Sequence, residues 1–451
     1  MAKEQKDKTE PKKKARAVPM PTFDAPVTQG VVDRNRSRSV KSLVQSGIAR
    51  DRSREELFVK WADRVRIEAT LAELSAAPKK KILSQANALL GNGQPAIACS
   101  TIYEDREGHP ILAYYATRTV DRERSSPRVL TLEEQYSAEG RTQESIDELV
   151  RGGQHHTSYD GIPPALCEEY RTQVQALCAG TPPKLSKTEK RHPDDDKVVH
   201  TVQGEALPGG KYTAYMDDKG KVVEAAGVHH LVHCWKATGQ KKLSVSKCVR
   251  DTSHMYLMLP NYYSSTTRLA AMLGEKLKSL WPEFYDLYER SFKAGVTIKE
   301  DPGPFLARAI VYKVQIGTHV DKSDAGPSVC FPCGDWVSGG ELVVPQLGAK
   351  FAYKSGDIVI LYAAKLYHQV APWRCAPLDL SSKVTPGRIG NVFFSPANSV
   401  KELKDKEEGW AMRTGLGILP ENAIYEPSKV IGDGPPRKKR KVEGESAATD
   451  S

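Results

Sequence analysis

A chain of 451 residues, 39% apolar and 27% charged, has the composition of a soluble protein able to bury a large core. No run reaches the roughly 18 apolar residues of a membrane helix, the basic start lacks a signal-peptide apolar stretch, and eight scattered cysteines form no disulfide framework. The net charge of +10 sits at the ends: residues 1–54 hold 14 Lys/Arg against 6 Asp/Glu and residues 434–451 hold 5 against 3, so charge alone does not make the neutral middle a nucleic-acid binder.

In chain order, residues 1–52 are Lys/Arg-rich ("PKKKARA", "DRNRSRS") with little to bury, and read as a disordered basic arm. Ser53 and Glu56 form a capping-box pattern. The apolar stripe Leu57, Trp61, Val65, Leu71 and Leu74 then predicts a helix. "HPILAYYATR" (109–118) predicts a strand. The stretch 131–153 predicts a helix interrupted at Gly140, and the polar, Pro-containing stretch 181–197 predicts a mobile loop. Residues 53–204 thus make a mixed, helical N-terminal region. From about residue 205 the apolar period moves towards two. "GKYTAYMDDKGKVVEAAG" predicts a hairpin turning at Asp218, Lys219 and Gly220. Leu269, Met272, Leu273, Leu277, Leu280, Phe284 and Leu287 predict a long helix divided by Pro282. After Phe305 come short strand-like segments: "FLARAIVYKVQ", "GGELVVP", "KFAYKSGDIVILYA", "LYHQVAPW" and "GRIGNVFFSP". Many close strands predict a barrel or sandwich over 205–430. Residues 431–451 read as a second basic tail.

The strand-rich part carries the chemistry. On an extended chain, residues two apart share a face, so His319 and Asp321 of "QIGTHVDKSD" can address one site while Val320 points into packing. His368 follows in "LYHQVAPW". Two histidines and one carboxylate suit iron(II) with three open coordination positions, and the lack of thiolate argues against structural zinc. Arg388 lies on the face of "GRIGNVFFSP" shared by Gly390, Val392 and Phe394. An inward arginine among such residues needs an anionic partner, and a carboxylate fits its fork.

This ordered set resembles the iron(II)/2-oxoglutarate dioxygenases, and so implies a double-stranded β-helix (jelly-roll) core with flanking helices in an α+β protein. "THVDKSD", "CGDWVSGGELVVPQLG" and "PGRIGNVFFSP" together are similar to the TET/JBP branch, especially its fungal members. The resemblance covers about residues 205–400. It implies iron(II) on His319, Asp321 and His368, with 2-oxoglutarate held by Arg388 and dioxygen as second cosubstrate. It further implies duplex DNA as partner, with a methylated base flipped into the pocket. The expected reaction is oxidation of 5-methylcytosine to hydroxymethyl and further forms, with N6-methyladenine demethylation as alternative. Animal TET enzymes carry a serine two residues after the arginine. Here that position is Gly390, so another hydroxyl must help or Arg388 acts alone. A protein hydroxylase and an inactive DNA-binding module are the other readings; the first usually has lysine at the Arg388 position, and the intact triad opposes the second.

Asp335, in "CGDWVSGG", is expected in a site loop, where its carboxylate could accept a hydrogen bond from an exocyclic base N–H; the alternative is a turn residue. In "HHLVHC" (229–234), alternation splits the ligands between two faces, which opposes a single metal site. Cys330 and Cys333 read as buried or loop cysteines near the site. Tyr367 and Trp373 could stack on a base or pack core. "PPRKKRKV" (435–442) resembles a nuclear localisation signal, native or appended.

Overall fold

A computed structural model describes residues 40–91, 93, 95–117, 160–185, 197–201, 212–236, 239–250, 253–379 and 385–420. The helices are α1 (Val40–Trp61), α2 (Leu71–Ser75), α3 (Lys79–Gly91), α4 (Pro164–Gly180), α5 (Lys247–Arg250), α6 (Ser253–Ser265), α7 (Thr267–Leu280), α8 (Pro282–Gly295), α9 (Ala397–Leu403) and α10 (Trp410–Thr414). The first strands are β1 (Asp63–Arg66), β2 (Thr101–Glu104), β3 (Pro110–Tyr115), β4 (Lys197–Thr201), β5 (Tyr212–Met216), β6 (Val222–Glu224) and β7 (Gly227–Val232). The second group is β8 (Ala307–Tyr312), β9 (Ser328–Ser338), β10 (Leu342–Val344), β11 (Ala349–Phe351), β12 (Ile358–Leu361), β13 (Gln369–Val370), β14 (Arg374–Cys375) and β15 (Gly387–Phe394). Among the described residues no helix is long and apolar enough to cross a membrane.

The long sheet runs β1-β2-β3-β12-β9-β15-β8-β7, antiparallel except at the β1–β2 junction, and β14 joins β9. A short antiparallel sheet, β11-β10-β13, supplies the second layer. Alternation divides the long sheet by face. Along β8, Ala309 and Val311 line a cavity, while Ile310 and Tyr312 enter a core with Leu269, Leu273 and Leu277 of α7. Leu342 of β10 and Val370 of β13 line the same cavity, so it lies between the two sheets. This is an α+β protein with a double-stranded β-helix core, with α1, α4 and α6–α10 packed on the outer face of the long sheet and α3 on β10.

The expected division of the long helix occurs at Trp281. That residue leaves helical geometry (φ −134°, ψ 63°), and Pro282 restarts the chain as the first residue of α8, where its missing N–H costs nothing. The β5–β6 hairpin also forms. Asp217 accepts from the N–H groups of Lys219 (3.0 Å) and Lys221 (2.8 Å), and Gly220 takes the left-handed φ of 73°.

Two expectations need correction. Helix α1 begins at Val40, so residues 40–52 are not part of a disordered arm, and Ser53 is an interior residue whose hydroxyl donates to the Ala49 carbonyl. The extension is held by Asp51 with Arg268 and by Glu55 with Lys276, both partners on α7. The helix also does not reach Leu74. The chain turns into β1, and the capping box is that of Thr70 and Glu73 at the start of α2. The N-terminal region joins the barrel: β1–β3 extend the long sheet, β3 pairing with β12 in register Tyr114↔Val359. Without β3, the apolar β12 would be an open edge. The arm to residue 39, the predicted helix at 131–153, most of the 181–197 insert and the 431–451 tail lie outside the described residues.

Candidate metal centre and its cavity

His319 and His368 sit directly opposite each other in an isolated antiparallel bridge. His319 N–H donates to the His368 carbonyl at 3.0 Å, and His368 N–H donates back at 2.9 Å. The two imidazole centroids are 4.3 Å apart. Each ring is oriented by its own backbone: Nδ1 lies 2.8 Å from the Gly317 carbonyl in His319 and 3.0 Å from the Leu366 carbonyl in His368. A carbonyl only accepts, so each Nδ1 carries the hydrogen and each Nε2 keeps its lone pair. Both Nε2 atoms face Asp321, His319 at 3.7 Å from Oδ1 and His368 at 3.5 Å from Oδ2. Asp321 is placed by its N–H, which donates to the Ala363 carbonyl at 2.9 Å. The three side chains offer ligand atoms all within 4.8 Å of one another.

Alternation brings His319 and Asp321 to one site, but Val320 does not turn away into packing; it lines the cavity too. The segment is a single bridge followed by a turn, not a regular strand, so strict two-residue parity does not apply to it.

Arg388 borders the same cavity of about 400 Å³. It is 3% exposed, its Nε has no hydrogen-bond partner, and no carboxylate pairs with it among the described residues. Its guanidinium carbon lies 5.1 Å from the Tyr353 ring centroid and 5.6 Å from that of Trp336. Burial pulls its pKa down, yet guanidinium remains charged at any physiological pH. A buried cation without a counter-charge is costly. An anion bound in the cavity would supply that charge. The donor set likewise fits a hard or borderline divalent ion: two neutral imidazoles and one carboxylate, on one side of an open cavity.

Tyr353 was not singled out from its sequence context. It lines the cavity beside Arg388, is 4% exposed and holds a positive φ of 47°. Burial pushes its phenol well above the usual value, so it stays a neutral donor. It places a hydroxyl-bearing side chain against Arg388, where residue 390 offers none. Asp324 also went unremarked. It lines the cavity and accepts from the Ser328 hydroxyl at its side chain.

Asp335 is not a cavity residue. It lies on β9, opposite Gly387 of β15, rather than in a loop. Phe331 and Cys333 set the parity of its face, and both enter the helix-side core. Asp335 therefore points to α4, where its carboxylate pairs with Arg171. Trp336, one residue on, has the opposite parity and reaches Arg388. Cys330 lines the cavity, Cys333 is buried on the other face, and all eight cysteines are free thiols. His229 bonds the Thr181 carbonyl at 2.7 Å and His233 pairs with Asp301, while His230 lines the cavity, so "HHLVHC" makes no joint site. Neither Tyr367 nor Trp373 lines the cavity; Trp373 packs against the apolar cluster around Leu342.

No protein-family model matches the chain, and no curated protein does. Solved structures similar to it include NgTET1 in complex with 5mC DNA, at 13% identity over 75% of this chain and 93% of that one, TM-score 0.37. A 2OG-Fe(II) oxygenase family oxidoreductase from Burkholderia pseudomallei matches at 18% identity over 37% and 65%, TM-score 0.23. JOX2 in complex with 2OG, Fe and JA matches at 12% identity over 52% and 65%, TM-score 0.25. At such identities and TM-scores, functional assignment rests on the residues of the site.

Proposed function

We propose that the chain is an iron(II)- and 2-oxoglutarate-dependent oxygenase of the TET/JBP type that oxidises methylated bases in duplex DNA. The observation that carries the reading is the pairing, in one cavity, of the His319–Asp321–His368 cluster with a buried Arg388 that has no carboxylate partner among the described residues. A dicarboxylic oxo-acid answers both needs, with one end at the ion and the other at the guanidinium. Bound iron, 2-oxoglutarate and dioxygen supply oxidation of an unreactive C–H bond.

The chain's own residues do the rest. The carbonyls of Gly317 and Leu366 hold both imidazoles in the tautomer that presents Nε2. Arg388 fixes the far carboxylate, and Tyr353 donates beside it. Val311, Leu342 and Val392 give the cavity apolar walls that exclude water. On 5-methylcytosine the product is the hydroxymethyl base and then more oxidised forms; on N6-methyladenine it is the free amine plus formaldehyde. Nuclear localisation through "PPRKKRKV" belongs to the same proposal, and a reporter fused to residues 431–451 is expected in the nucleus.

The test is purified protein with iron(II), 2-oxoglutarate and duplexes each carrying one methylated base, read by nucleoside mass spectrometry and a formaldehyde assay. Oxidised 5-methylcytosine is the expected product. Turnover of a peptide with none of nucleic acid overturns the substrate class.

A further inference from the structure

One wall of the cavity runs into a basic segment that the catalytic reading does not use. Residues 235–250, "WKATGQKKLSVSKCVR", hold five Lys/Arg and no Asp or Glu, inside the formally neutral middle of the chain. The segment begins at a cavity wall, because Trp235 and His230 both line the cavity. It is also pinned in place. Trp235 and Ser244 exchange backbone hydrogen bonds at 2.6 and 2.9 Å. The Ser246 hydroxyl donates to the His230 carbonyl at 2.6 Å, its N–H donates to the Val232 carbonyl at 3.0 Å, and Leu243 is buried in the main core. Lys241 and Lys242 project from this anchored turn, both exposed and without an ion pair among the described residues. Lys322, exposed on the same cavity, adds a cation.

An anchored basic turn that starts at the wall of a base-sized cavity, with Lys236 paired to Glu402 and Lys241 and Lys242 left exposed, suits a polyanion whose reacting unit enters that cavity. We infer that Lys241 and Lys242 contact the phosphate backbone of duplex DNA next to the nucleotide that enters the cavity. The inference rests on the proposed DNA-base reading and adds where the duplex is gripped. Phosphate contacts position the duplex without reading its sequence, so the turn sets affinity and register and leaves base choice to the cavity.

The test is a salt titration of duplex binding by fluorescence anisotropy, using the full chain and a duplex with one 5-methylcytosine. Wild type is compared with Lys241→Ala/Lys242→Ala and with Lys79→Ala/Lys80→Ala. The control removes equal charge from exposed positions of α3, which packs on β10 away from the basic turn. Each lost phosphate contact lowers the slope of log affinity against log salt by about 0.9, so the first variant should lose about 1.8. Between 50 and 200 mM salt, wild type should then lose roughly 12-fold more affinity than that variant. The control should keep the wild-type slope, and binding of 2-oxoglutarate should be unchanged in both. Wild type that binds duplex while both variants share its slope, or lose slope equally, overturns the assignment of the turn alone. Wild type with no duplex affinity at 50 mM salt overturns the DNA reading itself.

Discussion

Two arginines on neighbouring strands are equally buried and opposite in situation. Arg308 of β8 faces the helices, and Arg388 of β15 faces the cavity; they are 2% and 3% exposed. Arg308 is fully answered. It donates to Asp301 at 2.6 Å and to the Thr266 hydroxyl at 2.8 Å, and it lies over the Tyr263 ring at 4.6 Å. Asp301 in turn meets His233 Nε2 at 2.9 Å. Burial alone would pull the Arg308 pKa down, but Asp301 reverses the sign. At Arg388 burial wins, and the shift stays downward. The same side chain at the same depth is thus a structural ion pair on one face and a buried charge with no carboxylate partner among the described residues on the other. A buried charge without its partner points to function more sharply than the arginine itself.

The largest effect that tests this contrast is at the metal end. Replacing His319, Asp321 or His368 with alanine should cost more than about 100-fold in iron affinity, since even second-sphere partners cost 10- to 100-fold. Turnover should vanish with little change in thermal midpoint, because the cavity wall is not the main core. Iron content by plasma mass spectrometry, beside a melting curve, checks both halves. A variant that unfolds would make the cluster structural.

The arginine pair itself comes next. Arg308→Met strands the buried Asp301 and should cost about 3–5 kcal/mol in urea unfolding. Arg388→Met should be neutral or stabilising to the fold, while weakening 2-oxoglutarate binding by about 2–5 kcal/mol, roughly 30-fold or more by calorimetry. Acid sharpens the difference. Burial raises the Asp301 pKa, but Arg308 and then His233 outweigh it and hold the carboxyl below its usual value. A depressed folded-state pKa gives stability that is present above the unfolded value, about 3.9, and lost as pH falls through the folded one. Wild type and Arg388→Met should therefore share an acid limb below about pH 4, and Arg308→Met should lack it. Equal losses in the two variants would erase the distinction.

What the residues announced follows the same division. The His319–Asp321–His368 cluster was legible from residue type and chain order, and Arg388 also from the two-residue alternation of β15, none of which needs tertiary knowledge. The split at Pro282 was legible for the same local reason. Asp335 misled because the parity of β9 is set by Phe331 and Cys333 entering the helix-side core, and that depends on packing. Tyr353 was illegible because it sits at a positive φ beyond β11, outside any period, and comes beside Arg388 only in the folded chain. The start of α1 was hidden because its Asp51 and Glu55 find partners more than 200 residues away, on α7.

Tyr353 gives a smaller and more specific test. Loss of one hydrogen bond to a charged carboxylate, about 1.5–3 kcal/mol, predicts that Tyr353→Phe weakens 2-oxoglutarate binding about 10-fold or more. A side chain at Gly390 has room. Its Cβ would lie 3.4 Å from Val311 Cβ and 3.6 Å from Arg388 Nη1. Gly390→Ser should therefore restore much of the affinity in the Tyr353→Phe background and add little to wild type. Failure of that rescue, with the fold intact, would mean that Arg388 holds its anion alone.

The smallest effect belongs to Asp335. Its carboxylate is 53% exposed and bound to Arg171 on the helix face, and an exposed ion pair of this kind contributes about 0–1 kcal/mol. Asp335→Ala should lower stability slightly and scale turnover of 5-methylcytosine and N6-methyladenine duplexes by the same factor. The ratio of the two rates is the measurement. A changed ratio would mean that β9 bends in the DNA complex and brings Asp335 to the base, against the parity that Phe331 and Cys333 impose.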